Sequence, residues 1–132
     1  MNKKVKIAVD AMGGENAPEK IINAISISLK KSNENYFYLF GDKNLIENEI
    51  NKNKFPRDAY EIINTKNIIL DDESPLTAAK KGKESSMWKS IEYLKNKKAD
   101  ITLSAGNTGA MLVISRLLLN TIEGINKPAL AG

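Results

Sequence analysis

The sequence predicts an α/β fold in three layers, with helices on both faces of a mostly parallel sheet. Short apolar runs rich in β-branched and aromatic residues alternate along the chain with segments of helical periodicity. This alternation is typical of βαβ units, whose strands run parallel and are buried on both faces. Glycine-containing turns follow two of the runs, and a length of 132 residues suits one globular unit.

The composition narrows the chemistry that these residues can perform. The chain has no Cys and no His, which excludes disulfides, thiolate nucleophiles, zinc sites that use sulfur and histidine general bases. Its formal charge of +4 arises from 18 Lys and 2 Arg against 16 acidic residues. Because Arg is scarce and the basic residues are scattered, we expect no nucleic-acid partner. We also expect no metal and no cofactor.

The first strand and helix are predicted at the start of the chain. Val5–Ala11 is a short β-branched run closed by two glycines, which indicates a buried strand that ends in a tight turn. Pro18 suits the first turn of a following helix. The apolar residues of that helix recur at helical spacing and predict one buried face, formed by Ile21, Ile22, Ile25 and Leu29.

The pattern then repeats with shorter elements. Tyr36–Phe40 is a compact apolar run that predicts a second strand, and Tyr60–Ile63 predicts a third. Leu45, Ile46 and Ile50 predict a short helix between these two strands. No regular element is assigned to residues 64–75, where an acidic turn precedes a proline.

The second half of the chain predicts two helical pieces, a strand and a very apolar helix. Leu76–Lys98 has helical composition with a break near Gly82. Ile101–Ala105 predicts a fourth strand, and Ala110–Leu119 is so apolar that we expect a helix packed on both sides. Pro128–Gly132 predicts the start of one more strand, so that the sheet would be cut at Gly132.

The turn after the first strand is the first candidate site, because ligands of parallel sheets bind outside the carboxyl ends of the strands. Asp10–Asn16 reads DAMGGEN, in which Gly13 and Gly14 let a ligand approach the main chain beside a helix N-terminus. The same residues also fit an ordinary tight turn. They do not fit the dinucleotide fingerprint, because GGENAP lacks its third glycine and Asp42 follows too late in the chain.

The turn after the fourth strand is the second candidate site. The segment SAGNTGA is a run of small and hydrogen-bonding residues before the very apolar helix. Its ligand groups would be the hydroxyls of Ser104 and Thr108, the amide of Asn107 and the N–H groups made approachable by Gly106 and Gly109. The alternative is that Asn107 or Thr108 simply caps the helix, but a cap needs one such residue and not a cluster.

A third candidate lies between the two turns. The segment KGKESSM carries Lys83, Ser85 and Ser86 at the expected start of a helix. These side chains would place one positive charge and two hydroxyl donors beside an anion. Equally, Ser85 fits an N-cap and the lysines fit a solvated surface.

Together these segments resemble the PlsX family of bacterial phosphate acyltransferases in fatty acid and phospholipid synthesis. The resemblance rests on DAMGGEN followed by Ala17-Pro18, on DDESP and KGKESSM, and on SAGNTGA followed by Lys127-Pro128-Ala129. Two positions depart from the family pattern. Glu15 stands where the family usually has Asp, and Gly82 falls inside a run that is typically more basic.

The resemblance implies a fold similar to the phosphotransacetylase and isocitrate dehydrogenase class and an enzyme that acts as a homodimer. It implies transfer of a fatty acyl group from acyl carrier protein to inorganic phosphate. Asn107 would donate to the carbonyl oxygen, and Lys83 with the two serines would hold phosphate or the phosphopantetheine arm. The two glycine turns, including Asn16, would line the anion cleft. Asp10 would either orient a lysine or stabilise the turn that it begins.

The resemblance also implies partners and a location. A membrane glycerol-3-phosphate acyltransferase would consume the product, and the enzyme would be cytoplasmic with peripheral membrane contact. Residues 1–132 would form only the N-terminal part of the acyltransferase domain and lack activity alone. Two other classes stay open on the residues themselves, a non-enzymatic phosphate- or nucleotide-binding domain and, disfavoured by the missing fingerprint, a dehydrogenase.

Overall fold

The computed structural model describes residues 3–131, in which parallel strands alternate with α-helices. The strands are β1 (Val5–Asp10), β2 (Asn35–Gly41), β3 (Tyr60–Asn64) and β4 (Ile101–Ser104). The helices are α1 (Glu19–Lys31), α2 (Lys43–Asn53), α3 (Pro75–Lys81), α4 (Ser86–Lys95) and α5 (Thr108–Leu118). A short 3-10 helix, Gly82–Glu84, joins α3 to α4. The strands predicted up to residue 105 and the helices predicted up to residue 119 are confirmed to within a few residues at their ends, and the helical break predicted near Gly82 is confirmed.

The sheet has the order β3-β2-β1-β4, and all of its strands are parallel. The chain therefore places β2 and then β3 on one side of β1, and β4 on the other side of β1. Ala8 in the middle of β1 lies between Tyr38 of β2 and Thr102 of β4. Such a reversal of direction is a topological switch point, where the turns after two neighbouring strands diverge and leave a crevice. In this fold the switch point lies between β1 and β4.

The core is divided between the two faces of the sheet. On one face, side chains of α1 and α2 such as Ile22 and Ile46 pack on Val9 and Leu39 of the sheet. On the other face, Tyr93 of α4 packs edge-on against Phe40 of β2, with ring centroids 4.8 Å apart. A further apolar cluster joins α3, α4 and α5. The three-layer α/β/α class is confirmed.

Polar caps fix where several helices begin. The side chains of Asp42, Ser74, Ser85 and Asn107 accept hydrogen bonds from the first turns of α2, α3, α4 and α5. Each cap satisfies a backbone N–H that has no partner within its own helix. Because the caps of α4 and α5 follow chain segments at the carboxyl edge of the sheet, they also position the candidate site.

Two expectations for the C-terminal part are wrong within the described residues. The helix α5 buries Ala110 and Ile114, whereas Leu117 is 62% exposed, so the helix is packed on one side only. Residues 128–131 form no strand, because no neighbouring strand pairs with them, and Gly132 lies outside the described residues. Among residues 3–131, no helix has the length and apolar character needed to cross a membrane.

Candidate functional site at the switch point of the sheet

The first and second candidate segments meet at the carboxyl edge of the sheet. The third segment lies next to them, because it contains the start of α4. We call residues 10–16 the first turn and residues 104–109 the second turn. The first turn leaves β1 and the second leaves β4, which are adjacent and parallel. The backbone of Ser85 forms an isolated parallel bridge with Asn67, which follows β3, so the start of α4 lies at the same edge. The fold therefore brings together Asp10 and Ser104, which are 94 residues apart in the sequence.

Asp10 lies at the centre of this arrangement. Its side chain is 2% exposed, and Ser104 Oγ donates a hydrogen bond of 2.7 Å to Oδ2. The N–H of Met12 donates to Oδ1 over 3.2 Å. The N–H of Gly13 and the hydroxyl of Ser86 lie beside the carboxylate and act to lower its pKa. One carboxylate thus accepts hydrogen bonds from the first and the second turn and lies beside the start of α4.

Burial determines the protonation of this carboxyl group. Loss of hydration disfavours the charged form and raises the pKa of Asp10, while the hydrogen bonds from Ser86, Ser104, Met12 and Gly13 oppose this and lower it. The effect of burial is the larger, so the pKa of Asp10 lies above its ordinary value. Among the described residues, the groups that act on it are hydroxyl and backbone donors and not cations.

The glycines allow the two turns to touch. A Cβ on Gly13 would lie 2.5 Å from Asp10 Oδ2 and 2.8 Å from Ser104 Oγ. Gly14 has a φ of +89°, and a Cβ there would lie 2.5 Å from the carbonyl oxygen of Ala105. A Cβ on Gly106 would lie 3.1 Å from the Cα of Gly13. The space that a side chain would fill at these positions is thus occupied by the other turn.

Asn107 is both a helix cap and an anchor for a distant loop. Its Oδ1 accepts a hydrogen bond of 3.0 Å from the N–H of Ala110. Its Nδ2 donates over 2.7 Å to the carbonyl of Glu73 and over 3.1 Å to that of Leu70. The capping alternative is therefore confirmed. The predicted donation to a substrate carbonyl stays a prediction, and it would require Nδ2 to exchange a loop carbonyl for the substrate.

The two serines of the third segment are buried, whereas its Lys83 is exposed. Ser85 is fully buried, and its Oγ caps α4 by accepting from the N–H of Trp88 over 3.1 Å, as the capping alternative predicted. Ser86 is 1% exposed and contacts Asp10, whereas Lys83 is exposed on the 3-10 helix. An opening of about 370 Å³ beside Ser85 is lined by Lys66 and Lys81 among others. Lys81 is the first residue of the third segment, whereas Lys66 lies outside all three candidate segments and was missed by sequence reasoning.

The accessible part of the site is the start of α5. Thr108 is exposed, and Gly109 packs so closely on α3 that a Cβ would lie 2.7 Å from Pro75 Cγ. The N–H groups of Thr108 and Gly109 belong to the first turn of α5, where a helix offers donors without intrahelical acceptors and the positive end of its dipole. Asn16 of the first turn is also exposed and has a φ of +57°.

Fold and site together define a class of protein. A doubly wound parallel sheet with small-residue turns and a helix N-terminus at its switch point is the arrangement by which α/β proteins bind phosphate groups. The model of one family, described as "Fatty acid synthesis protein", matches residues 5–132. The chain belongs to this family, the PlsX family that its motifs resemble.

Curated relatives agree with this assignment. A phosphate acyltransferase of Pelagibacter ubique is 52% identical over 131 residues, and one of Rhodopseudomonas palustris strain TIE-1 is 40% identical over 132 residues. Each alignment covers 99% of this chain, but only 39% and 37% of the respective relative. A phosphate acyltransferase of Caldicellulosiruptor bescii is 40% identical over 126 residues, which are 96% of this chain and 38% of the relative. The chain thus spans about two fifths of the length of these relatives.

Proposed function

We propose that this chain contributes the phosphate-binding wall of an enzyme that transfers a fatty acyl group from acyl carrier protein to inorganic phosphate. The observation that carries the proposal is the meeting of the two turns, at the switch point of the sheet, in a chain whose relatives are named phosphate acyltransferases. The names of the relatives support the acyl transfer to phosphate. The carrier protein as acyl donor is our inference from the resemblance of the motifs.

The proposed reaction suits the residue types that the chain contains. A phosphate oxygen attacks the thioester carbonyl carbon, the C–S bond breaks, and the carrier thiolate leaves and takes up the proton that phosphate has lost. Because phosphate is itself the nucleophile, no nucleophilic Cys or Ser–His pair is required. The protein has to hold phosphate against the carbonyl and to stabilise the negative charge that develops on its oxygen.

The start of α5 would provide the donors for this charge. We assign the phosphate or the developing oxyanion to the N–H groups of Thr108 and Gly109 and to the hydroxyl of Thr108. Asn107 remains a proposed donor to the carbonyl oxygen. Lys83, which is exposed near the start of α4, would neutralise the anion or hold the phosphate of the phosphopantetheine arm.

The proposed partners follow from the same reaction. Acyl carrier proteins are acidic, and a chain with a net charge of +4 is suited to docking with them. We propose that the complete enzyme is a homodimer, that it works in the cytoplasm with peripheral membrane contact, and that a membrane glycerol-3-phosphate acyltransferase takes up the acyl phosphate.

The transfer is tested with the complete enzyme, an acyl carrier protein thioester and inorganic phosphate. We expect free carrier thiol to appear at a rate that depends on phosphate, together with one acyl phosphate per thiol. Release of thiol that does not depend on phosphate would refute the proposed reaction. Binding of phosphate without any release would instead favour the non-enzymatic phosphate-binding domain.

The role of Lys83 is tested separately in the same assay. Lys83→Ala is expected to raise the KM for phosphate, or for the carrier thioester, because it removes a positive charge beside the anion. Lys95→Ala, at the other end of α4, removes a lysine that is likewise exposed and serves as the matched control. If both variants retain the parental KM values, Lys83 is not part of the site.

A further inference from the structure

We propose that Asp10 is the positioning residue of the phosphate site, and that its buried carboxylate holds the second turn and the start of α5 in their binding geometry. The inference rests on the proposed function, because it gives Asp10 a role in the binding of the same phosphate. It assigns to Asp10 neither contact with substrate nor orientation of a lysine.

The first step is the connection from Asp10 to the second turn. Ser104 Oγ donates to Asp10 Oδ2 over 2.7 Å and at the same time accepts from the N–H of Gly106 over 3.1 Å. The Ser104 hydroxyl has one hydrogen, and Asp10 fixes its direction, so its lone pairs point towards the turn. The orientation of Gly106, next to the cap of α5, therefore depends on a carboxylate in another strand.

The second step is that a carboxylate can accept from all of these donors at once, whereas the side chain of Asn has only one acceptor oxygen. Asp10 accepts hydrogen bonds from the Ser104 hydroxyl and from the N–H of Met12, and the Ser86 hydroxyl and the N–H of Gly13 lie beside the same carboxylate. Asn has nearly the same shape but replaces one acceptor oxygen by an NH₂ donor, which would face either the backbone donors or the hydroxyls. Unlike a hydroxyl, a backbone N–H cannot rotate away, so the NH₂ group of Asp10→Asn would face Ser104 and would turn the Ser104 hydrogen away from residue 10.

The third step is that Asp10 is inaccessible. At 2% exposure, and with Gly13 and Ser104 packed against Oδ2, the carboxylate is almost closed to solvent. A negative charge in contact with phosphate would also repel it. Asp10 can therefore act on bound phosphate only through Ser104, Ser86 and the backbone of the turns.

The test compares three substitutions in the complete enzyme and follows KM and kcat separately. Asp10→Asn is expected to raise the KM for phosphate about tenfold, and Ser104→Ala about threefold, which corresponds to the loss of one or two hydrogen bonds. Thr102→Val is the control. Thr102 lies on the same strand as Ser104, but its Oγ1 donates to Ser90 Oγ of α4, away from the turns. Its KM for phosphate is expected to stay at the parental value.

A second measurement uses this chain alone and does not depend on activity. Amide hydrogen exchange at Gly106 is expected to accelerate in Ser104→Ala, and in Asp10→Asn if that variant folds, but not in Thr102→Val. If the parental enzyme transfers acyl groups to phosphate while a folded Asp10→Asn and Ser104→Ala keep its KM, the positioning role is refuted and the proposed function stands. If the parental enzyme shows no phosphate-dependent transfer, the proposed function fails. Independently of activity, unchanged exchange at Gly106 in the folded variants would refute the connection from Asp10 through Ser104 to Gly106.

Discussion

At the scale of single residues, the site is formed by close contacts between small groups. Gly13, Gly14 and Gly106 leave space that the opposite turn fills, and the buried carboxylate of Asp10 holds the turns together. The glycines are therefore required by contact between protein segments, which the sequence motif alone does not distinguish from contact with a ligand.

Gly14→Ala is expected to destabilise the chain through a collision with Ala105. Gly124→Ala is its matched control, because Gly124 also has a positive φ, +83°, but an added Cβ there meets nothing within 4 Å. The two variants share the backbone strain, so their difference isolates the collision, which we expect to cost about 1–3 kcal/mol. Urea denaturation of both variants measures it, and equal free energies of unfolding would contradict the packing of the two turns.

The raised pKa of Asp10 predicts how stability depends on pH. Between its ordinary pKa and the raised one, the folded chain holds a proton that the unfolded chain has released. The contribution of Asp10 to stability is therefore present at low pH and declines as the pH rises through this interval, by about 1.4 kcal/mol per pH unit at most.

Asp10→Asn removes this titration and provides the reference for the measurement. The free energy of unfolding of the parent, minus that of the variant, is expected to fall as the pH is raised from about 4. Urea denaturation of both proteins at a series of pH values gives this difference. A difference that rises with pH would mean that the hydrogen bonds outweigh burial and that the pKa of Asp10 is lowered.

At the scale of elements, the link between α5 and the loop before α3 is the notable feature. Asn107 caps α5 with its oxygen and binds carbonyls of residues 70–73 with its nitrogen. One side chain thus fixes both the donors at the start of α5 and a loop that has no regular structure of its own.

Asn107→Ala is expected to cost more stability than the loss of an ordinary cap. Asp42→Ala is the control, because Asp42 caps α2 with one bond to Leu45. We expect about 1 kcal/mol for Asp42→Ala and roughly 2–4 kcal/mol for Asn107→Ala, which also leaves loop carbonyls without their donor. Thermal denaturation compares them, and an equal loss in both variants would show that the loop contacts contribute nothing.

Periodicity and turn residues were sufficient to predict the strands and helices up to residue 119, because each of these elements carries its own apolar pattern, whereas the strand predicted from Pro128 does not form. They also placed the two turns at the correct ends of β1 and β4. The partners of Asp10 and Asn107 could not be predicted, because Ser104 is 94 residues away from Asp10 and Glu73 is 34 residues away from Asn107. Likewise, the periodicity of α5 indicates that the helix is apolar but not which of its faces meets a partner.

At the scale of the whole molecule, the β4 edge of the sheet combines unpaired backbone with exposed apolar side chains. Among residues 3–131 no strand pairs with the outer side of β4, where Ile101 and Leu103 are 44% and 50% exposed. Unpaired backbone groups next to apolar side chains favour association between strands of different molecules.

We therefore expect this chain to associate with itself as its concentration rises. Leu103→Lys should weaken the association by placing a charge at the open edge. Leu45→Lys is the control, because Leu45 is 46% exposed on α2, which packs next to β3 at the opposite side of the sheet. Sedimentation velocity measures the association, and a monomer at every concentration would contradict the expectation.

The central claim is that phosphate binds where the two turns meet, and amide chemical shifts test it most directly. In a titration of this chain with inorganic phosphate, with sodium chloride at matched ionic strength as control, we predict that the largest changes occur at residues 13–14 and 106–109. Changes confined to the lysine-rich surface, such as the opening lined by Lys43, Lys54 and Arg57, would contradict the claim, as would no changes beyond those of the salt control.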